Sequence, residues 1–115
     1  MRFLILLGGS SHFDDWDAAA DDVRARSIRD YDAFAAAVRE RGELVVGDAL
    51  QHPSTARTVR RSTRLVTDGP FTEAAEQLGG FYVIDVPDLD VAVELARLLP
   101  RETDVEVRPT LGIEV

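Results

Sequence analysis

The chain opens on an unbroken apolar run, Phe3-Leu4-Ile5-Leu6-Leu7, closed by Gly8-Gly9. A short run without polar alternation predicts a central strand buried on both faces. Residues 10–22 are acidic and predict a loop that leads into a helix. Between 20 and 41, Ala20, Val23, Tyr31, Phe34 and Val38 recur at steps of three or four, with one gap near Ser27. That spacing predicts a helix with one apolar stripe. Acidic residues crowd its start and Arg39 and Arg41 close it, as the helix dipole favours, while Gly42 supplies a C-terminal stop.

Residues 43–50 predict a second strand, and Gln51-His52-Pro53-Ser54 a turn, since Pro53 disfavours helix at the residue before it. Residues 57–61 and 64–67 predict a hairpin turning near Ser62-Thr63. Asp68-Gly69-Pro70 is a turn by composition, and residues 71–78 favour a short helical turn. Residues 80–86 predict a strong strand that Pro87 interrupts. Asp88 is then placed to cap a helix whose face is Leu89, Ala92, Val93, Ala96 and Leu99, and which Pro100 ends. Residues 105–108 predict a last strand, and 109–115 a tail that pairs or hangs free. Without the hairpin, the order is βαββαβ, the split βαβ of a ferredoxin-like α+β domain.

A length of 115 residues fits one domain over 1–115. The absence of cysteine excludes disulfides, thiolate nucleophiles and Cys-ligated zinc, and fits a cytoplasmic location. The opening apolar run is too short for a secretory signal and lacks a cleavage site. No stretch approaches the roughly 20 apolar residues of a membrane span. The net charge is -8 and every basic residue is Arg. Such a surface repels nucleic-acid backbones and anionic lipid, so neither is an expected partner.

Thr67-Asp68-Gly69-Pro70-Phe71, followed by Glu76-Gln77-Leu78-Gly79-Gly80-Phe81-Tyr82, resembles the DGPF branch of the YCII-related family. Gly47-Asp48-Ala49-Leu50-Gln51, residues 55–60, residues 88–100 and Val105-Glu106-Val107-Arg108-Pro109 extend the resemblance over nearly the whole chain, most specifically over 44–109. The resemblance implies a ferredoxin-like homodimer of the dimeric α/β-barrel type, with two sheets packed across a symmetric interface and a cleft beside each sheet. It also implies a regulatory setting near extracytoplasmic-function sigma factors, which makes a sigma factor a candidate partner. Some YCII-related proteins are suspected enzymes with a His–Asp pair in the cleft. In those the histidine lies on or near the first helix, whereas residues 23–41 here contain none. That pair therefore does not transfer residue by residue.

Asp68 is the candidate acid–base residue, as a general base or substrate-binding carboxylate at the cleft mouth. Its structural alternative, a turn former before Gly-Pro, is favoured. His12 follows the first strand and would complete an acid–base pair if it reached Asp68. A solvated histidine among aspartates is the commoner outcome, and His52 beside Pro53 is weaker still. The expected ligand pocket gathers Asp68, Gly69, Pro70, Phe71, Tyr82 and Arg57. Asp14, Asp15 and Asp17 lack the order of a calcium loop, and Gly8-Gly9-Ser10-Ser11 lacks the lysine or glycine spacing of a phosphate loop. No metal or cofactor is expected.

Arg57, Arg60, Arg61 and Arg64 make a basic hairpin, able to grip an anion or to protect a strand edge. Trp16 is a lid, a dimer contact or an anchor on the core. Tyr82 and Asp85 fall on opposite faces of one strand, so one of them faces the cleft or interface. Three functions stay open. The leading one is a dimer that binds an unknown small molecule. The others are an acid–base enzyme using Asp68, with or without His12, and a protein-interaction module.

Overall fold

The computed structural model describes residues 1–10 and 12–114. It is a mixed helix and sheet structure of the α+β class. In chain order the elements are β1 (Arg2–Gly8), α1 (His12–Ala18), α2 (Asp21–Arg41), β2 (Glu43–Ala49), β3 (Arg57–Val59), β4 (Val66–Asp68), β5 (Leu78–Asp85), α3 (Leu89–Ala96) and β6 (Asp104–Pro109). Single 3₁₀ turns lie at Pro53–Thr55 and Glu73–Gln77. Four strands form one sheet in the order β2-β5-β1-β6 with every neighbour antiparallel, and β3 and β4 form a separate two-stranded ribbon.

The core lies between this sheet and α2 and α3. Phe3, Ile5 and Leu7 of β1 meet Ile84 and Val86, and Phe34, Val38, Ala92, Leu95 and Leu99 close over them. The expectation that β1 is buried on both faces needs correction. Leu4 and Leu6 are only half-buried, because α2 and α3 cover one face alone. In register they stand opposite Val83 and Phe81, also half-buried, so an apolar stripe runs along the other face. The molecule measures 45 × 41 × 17 Å, thin along the axis where one helical layer covers one sheet.

Asp88 caps α3 as its position predicts: its carboxylate accepts the Val91 amide at 2.9 Å. A bulge at Val45 lets Leu44 face Ile84 while Gly47 faces Tyr82. The predicted hairpin forms, but with three-residue strands and a wider turn across residues 60–65. Ser62 and Arg64 both take positive φ there, 68° and 60°. The ribbon stands apart from the main sheet as an arm, with Val59, Leu65 and Val66 exposed.

The loop expected over 10–22 is instead mostly α1, and His12, expected in a loop, is its first residue. No residue of α1 is buried, and the helix leans on the end of the sheet, where His12 sits against Gly79 of β5. Its last turn is held by Arg24, which donates to the Trp16 carbonyl at 3.0 and 2.8 Å and to the Asp17 carbonyl at 2.8 Å. These are carbonyls that a helix end leaves without intrahelical partners. Among the described residues, no helix is long and apolar enough to cross a membrane. Ser11, the end of the glycine-serine segment considered for phosphate, and Val115 lie outside the described residues.

Candidate functional site

A cavity of ≈ 360 Å³ opens where α1 leans over the end of the sheet. That volume falls in the range that holds small organic ligands. His12, Phe13 and Trp16 come from α1, Tyr31 from α2, and Leu7, Gly47, Gly80 and Tyr82 from the strands below. A smaller space of ≈ 60 Å³ adjoins it, sharing His12, Trp16 and Tyr31 and adding Asp15, Ser27 and Glu102. Another groove, ≈ 480 Å³, runs between α3 and β6, but no aromatic ring or histidine lines it. The α1 cavity is the better site because aromatic walls and hydrogen-bonding groups converge there.

Two glycines shape it. A β-carbon at Gly79 would run into His12 Nε2, and one at Gly47 would run into the Tyr82 ring. Gly79 therefore gives the imidazole a flat seat, and Gly47 lets the phenol lie across the strand. The rings brace each other: His12 meets Phe13 edge-on at 5.2 Å, Phe13 meets His52 at 5.3 Å, and Phe34 meets Tyr82 at 4.9 Å. Asp48 also borders the cavity, but in register it stands opposite Phe81, on the sheet side away from Tyr82, and its carboxylate accepts the Ala49 amide.

Burial lowers the His12 pKa below its usual value, and the Asp15 carboxylate only partly opposes it. The ring is therefore neutral at pH 7, with one nitrogen donating and one accepting. Burial also raises the pKa values of Tyr31 and Tyr82, reinforced by Glu102 at Tyr31 and by Tyr31 and Asp32 at Tyr82. Both phenols keep their protons and remain donors. The site thus offers three neutral hydrogen-bonding groups on aromatic walls, two phenols that donate and one imidazole able to take up or pass a proton.

Of the residues expected to form the pocket, Tyr82 lines this cavity and so does His12. Arg57, Asp68, Gly69, Pro70 and Phe71 belong to the arm instead. The Asp68 carboxylate pairs with Arg57 at 3.0 Å, and its side chain is 86% exposed. It has the setting of a surface ion pair rather than of a walled acid–base group. The rest of the segment ties the base of the arm: Thr58 donates to the Gly69 carbonyl at 2.7 Å, the Gly69 amide to the Ala56 carbonyl at 2.8 Å, and Arg60 to the Phe71 carbonyl at 3.3 Å. Gly69 has φ 86°, a left-handed value that suits glycine there. Of Tyr82 and Asp85, Tyr82 is the one that faces the cavity. Asp14 and Asp17 are absent from both α1 spaces, and among the described residues no three His, Asp or Glu side chains gather as a metal site.

Phe13, Tyr31, Gly47 and Gly79 were not marked as site residues by the sequence pattern. One signal was present: His12, Phe13 and Trp16 fall at i, i+1 and i+4, a spacing that gathers them on one side of a helix.

An antiparallel four-stranded sheet with one helical layer and an aromatic cavity at its end defines a small α+β domain with a ligand-sized site. The YCII-related domain family matches residues 1–110, and the chain belongs to that family. A protein of Rhizobium meliloti (strain 1021), described as "Uncharacterized protein R00369", is 39% identical over 100 residues, which cover 82% of this chain and 78% of that protein.

Proposed function

We propose that this chain is a single-domain, ferredoxin-like, homodimeric protein that binds a small molecule with an apolar body in the α1 cavity. The carrying observation is the cavity itself: ≈ 360 Å³ walled by His12, Phe13, Trp16, Tyr31 and Tyr82. The sheet order β2-β5-β1-β6, with α1 and the long α2 between β1 and β2 and α3 between β5 and β6, supports the ferredoxin-like reading. The half-buried stripe of Leu4, Leu6, Phe81 and Val83 supports a symmetric partner on the open face. Absence of cysteine supports a cytoplasmic setting.

Trp16 is the chain's one tryptophan, so its fluorescence reports occupancy of the cavity directly. Saturable change in that emission with small aromatic probes is the expected result. Flat titrations across a broad set of aromatic probes and metabolites would remove this reading. For the dimer, sedimentation at twice the 12.7 kDa chain mass is expected, with Leu6→Glu giving the single-chain mass. A monomeric wild type defeats that part.

A second reading, a protein-docking module, is favoured by one observation. The arm exposes Val59, Leu65 and Val66, and Phe71 at its base is 67% exposed, in a two-stranded ribbon too small to be stable alone. Cross-linking from the arm that recovers a protein other than a second copy would support it; the proposed sigma-factor association is its specific form.

A further inference from the structure

We propose that the ligand of the α1 cavity is an organic cation, an ammonium or quaternary ammonium group carried on an apolar body. This rests on the cavity being the binding site and adds the charge of what it binds. Four aromatic rings, Phe13, Trp16, Tyr31 and Tyr82, wall the space. The faces of such rings carry partial negative charge and attract a cation within about 6 Å of their centres. One of them already does so: the Arg24 guanidinium lies 5.6 Å from the centre of the Trp16 ring.

Three carboxylates act on the lining residues, and the guanidinium against a wall is that of Arg24 on Trp16. Asp15 raises the affinity of His12 for a proton, Glu102 that of Tyr31, and Asp32 that of Tyr82. Asp15 and Glu102 also line the adjoining space. Among the described residues no arginine lines either space, and the chain has no lysine. The nearby guanidinium groups are engaged: Arg26 pairs with Glu102, and Arg24 holds the Trp16 and Asp17 carbonyls. A buried carboxylate or phosphate would therefore lack a lining guanidinium and lie near carboxylates, with only the neutral His12, Tyr31 and Tyr82 donors to offset its desolvation. A neutral ligand gains burial alone. A cation on an apolar body gains burial, the ring faces and the nearby carboxylates together. The net charge of -8 draws such a ligand from solution as well.

The test compares three probes of similar shape: phenyltrimethylammonium, tert-butylbenzene, in which carbon replaces the charged nitrogen, and phenylacetate. Each is titrated against the full chain at low salt, with Trp16 emission as the signal. Ala49→Leu, which narrows the cavity from an exposed strand position, reports whether the signal comes from this site. The expected result is that the cation binds at least fivefold more tightly than its neutral isostere. Phenylacetate should bind most weakly, 0.5 M NaCl should shrink the cation's advantage, and Ala49→Leu should weaken the cation at least fivefold. If tert-butylbenzene equals or exceeds the cation, or phenylacetate leads, the charge inference is overturned while the cavity stands as a binding site. If no probe alters Trp16 emission, both readings fall. If Ala49→Leu leaves the cation's affinity unchanged, the cation binds elsewhere and the inference falls with it.

Discussion

The arm of β3 and β4 and the cavity beneath α1 differ in nearly every property that makes a binding site. The arm holds the most recognisable run of residues in the chain, Thr67 to Phe71, yet its carboxylate is 86% exposed and already paired with Arg57. The cavity is built from residues scattered over five elements, yet it has walls and three hydrogen-bonding groups, among them an imidazole whose pKa burial lowers. A memorable motif marks a demanding piece of backbone as readily as it marks chemistry. Here Asp68-Gly69-Pro70-Phe71 is spent on turning the chain and tying down the arm, through Thr58, Arg60 and the Gly69 amide. Electrostatic interactions are also worth more away from bulk water, and His12, Tyr31 and Tyr82 are half-buried where Asp68 is exposed.

The largest expected difference comes from one substitution made in the arm and in the core behind the cavity. Phe34 is fully buried and braces Tyr82, so Phe34→Ala should cost about 3–5 kcal/mol. Phe71 is 67% exposed, and Phe71→Ala should stay within about 0.5 kcal/mol. Urea denaturation of both variants measures the gap, and equal costs would mean that the arm is packed in solution. Next is Gly47→Val, whose side chain collides with the Tyr82 ring. Overpacking of this kind costs about 1–3 kcal/mol, and aromatic probe binding should weaken tenfold or more. Unchanged affinity would detach Tyr82 from the site.

Asp68→Asn should leave probe affinity unaltered and shift the melting temperature by about 1 °C or less, as for an exposed ion pair. A loss of binding with no change in melting would return Asp68 to the candidate site. The smallest effect concerns acid. The His12 pKa lies below 6.5 in the folded chain, so the unfolded chain binds the proton more readily. Stability from this group is full above pH 6.5 and is lost as pH falls from there through the lower folded value. His12→Gln should flatten that part of the stability profile, and NMR titration of the imidazole should place its midpoint below 6.5. A midpoint above 6.5 would mean that Asp15, not burial, governs the ring.

Much of the architecture was legible in the sequence because period and punctuation agree with the tertiary environment. The stripe through Phe34 and Val38, the Asp88 cap and the alternation around Ile84 each met the partner that their pattern requires. The first strand was read as buried twice over, because an all-apolar run does not reveal how many layers cover it. The α1 helix was hidden by its composition: three aspartates in seven residues read as a solvated loop, while the contacts that hold it come from Arg24 on the next helix and from Gly79, far along the chain. The candidate site followed the same division. His12 and Tyr82 were visible as chemistry, but sequence offered Asp68 as their companion, and only the packing of α1 against the strand ends brings them to Phe13, Trp16 and Tyr31.

The central claim is that ligand chemistry belongs to the α1 cavity and not to the arm. Amide and side-chain chemical-shift mapping during a titration with phenyltrimethylammonium tests it most directly. The account predicts shifts concentrated at His12, Phe13, Trp16, Tyr31 and Tyr82, with residues 57–71 unmoved. Shifts concentrated on Arg57, Asp68 and Phe71 over a silent cavity would contradict it.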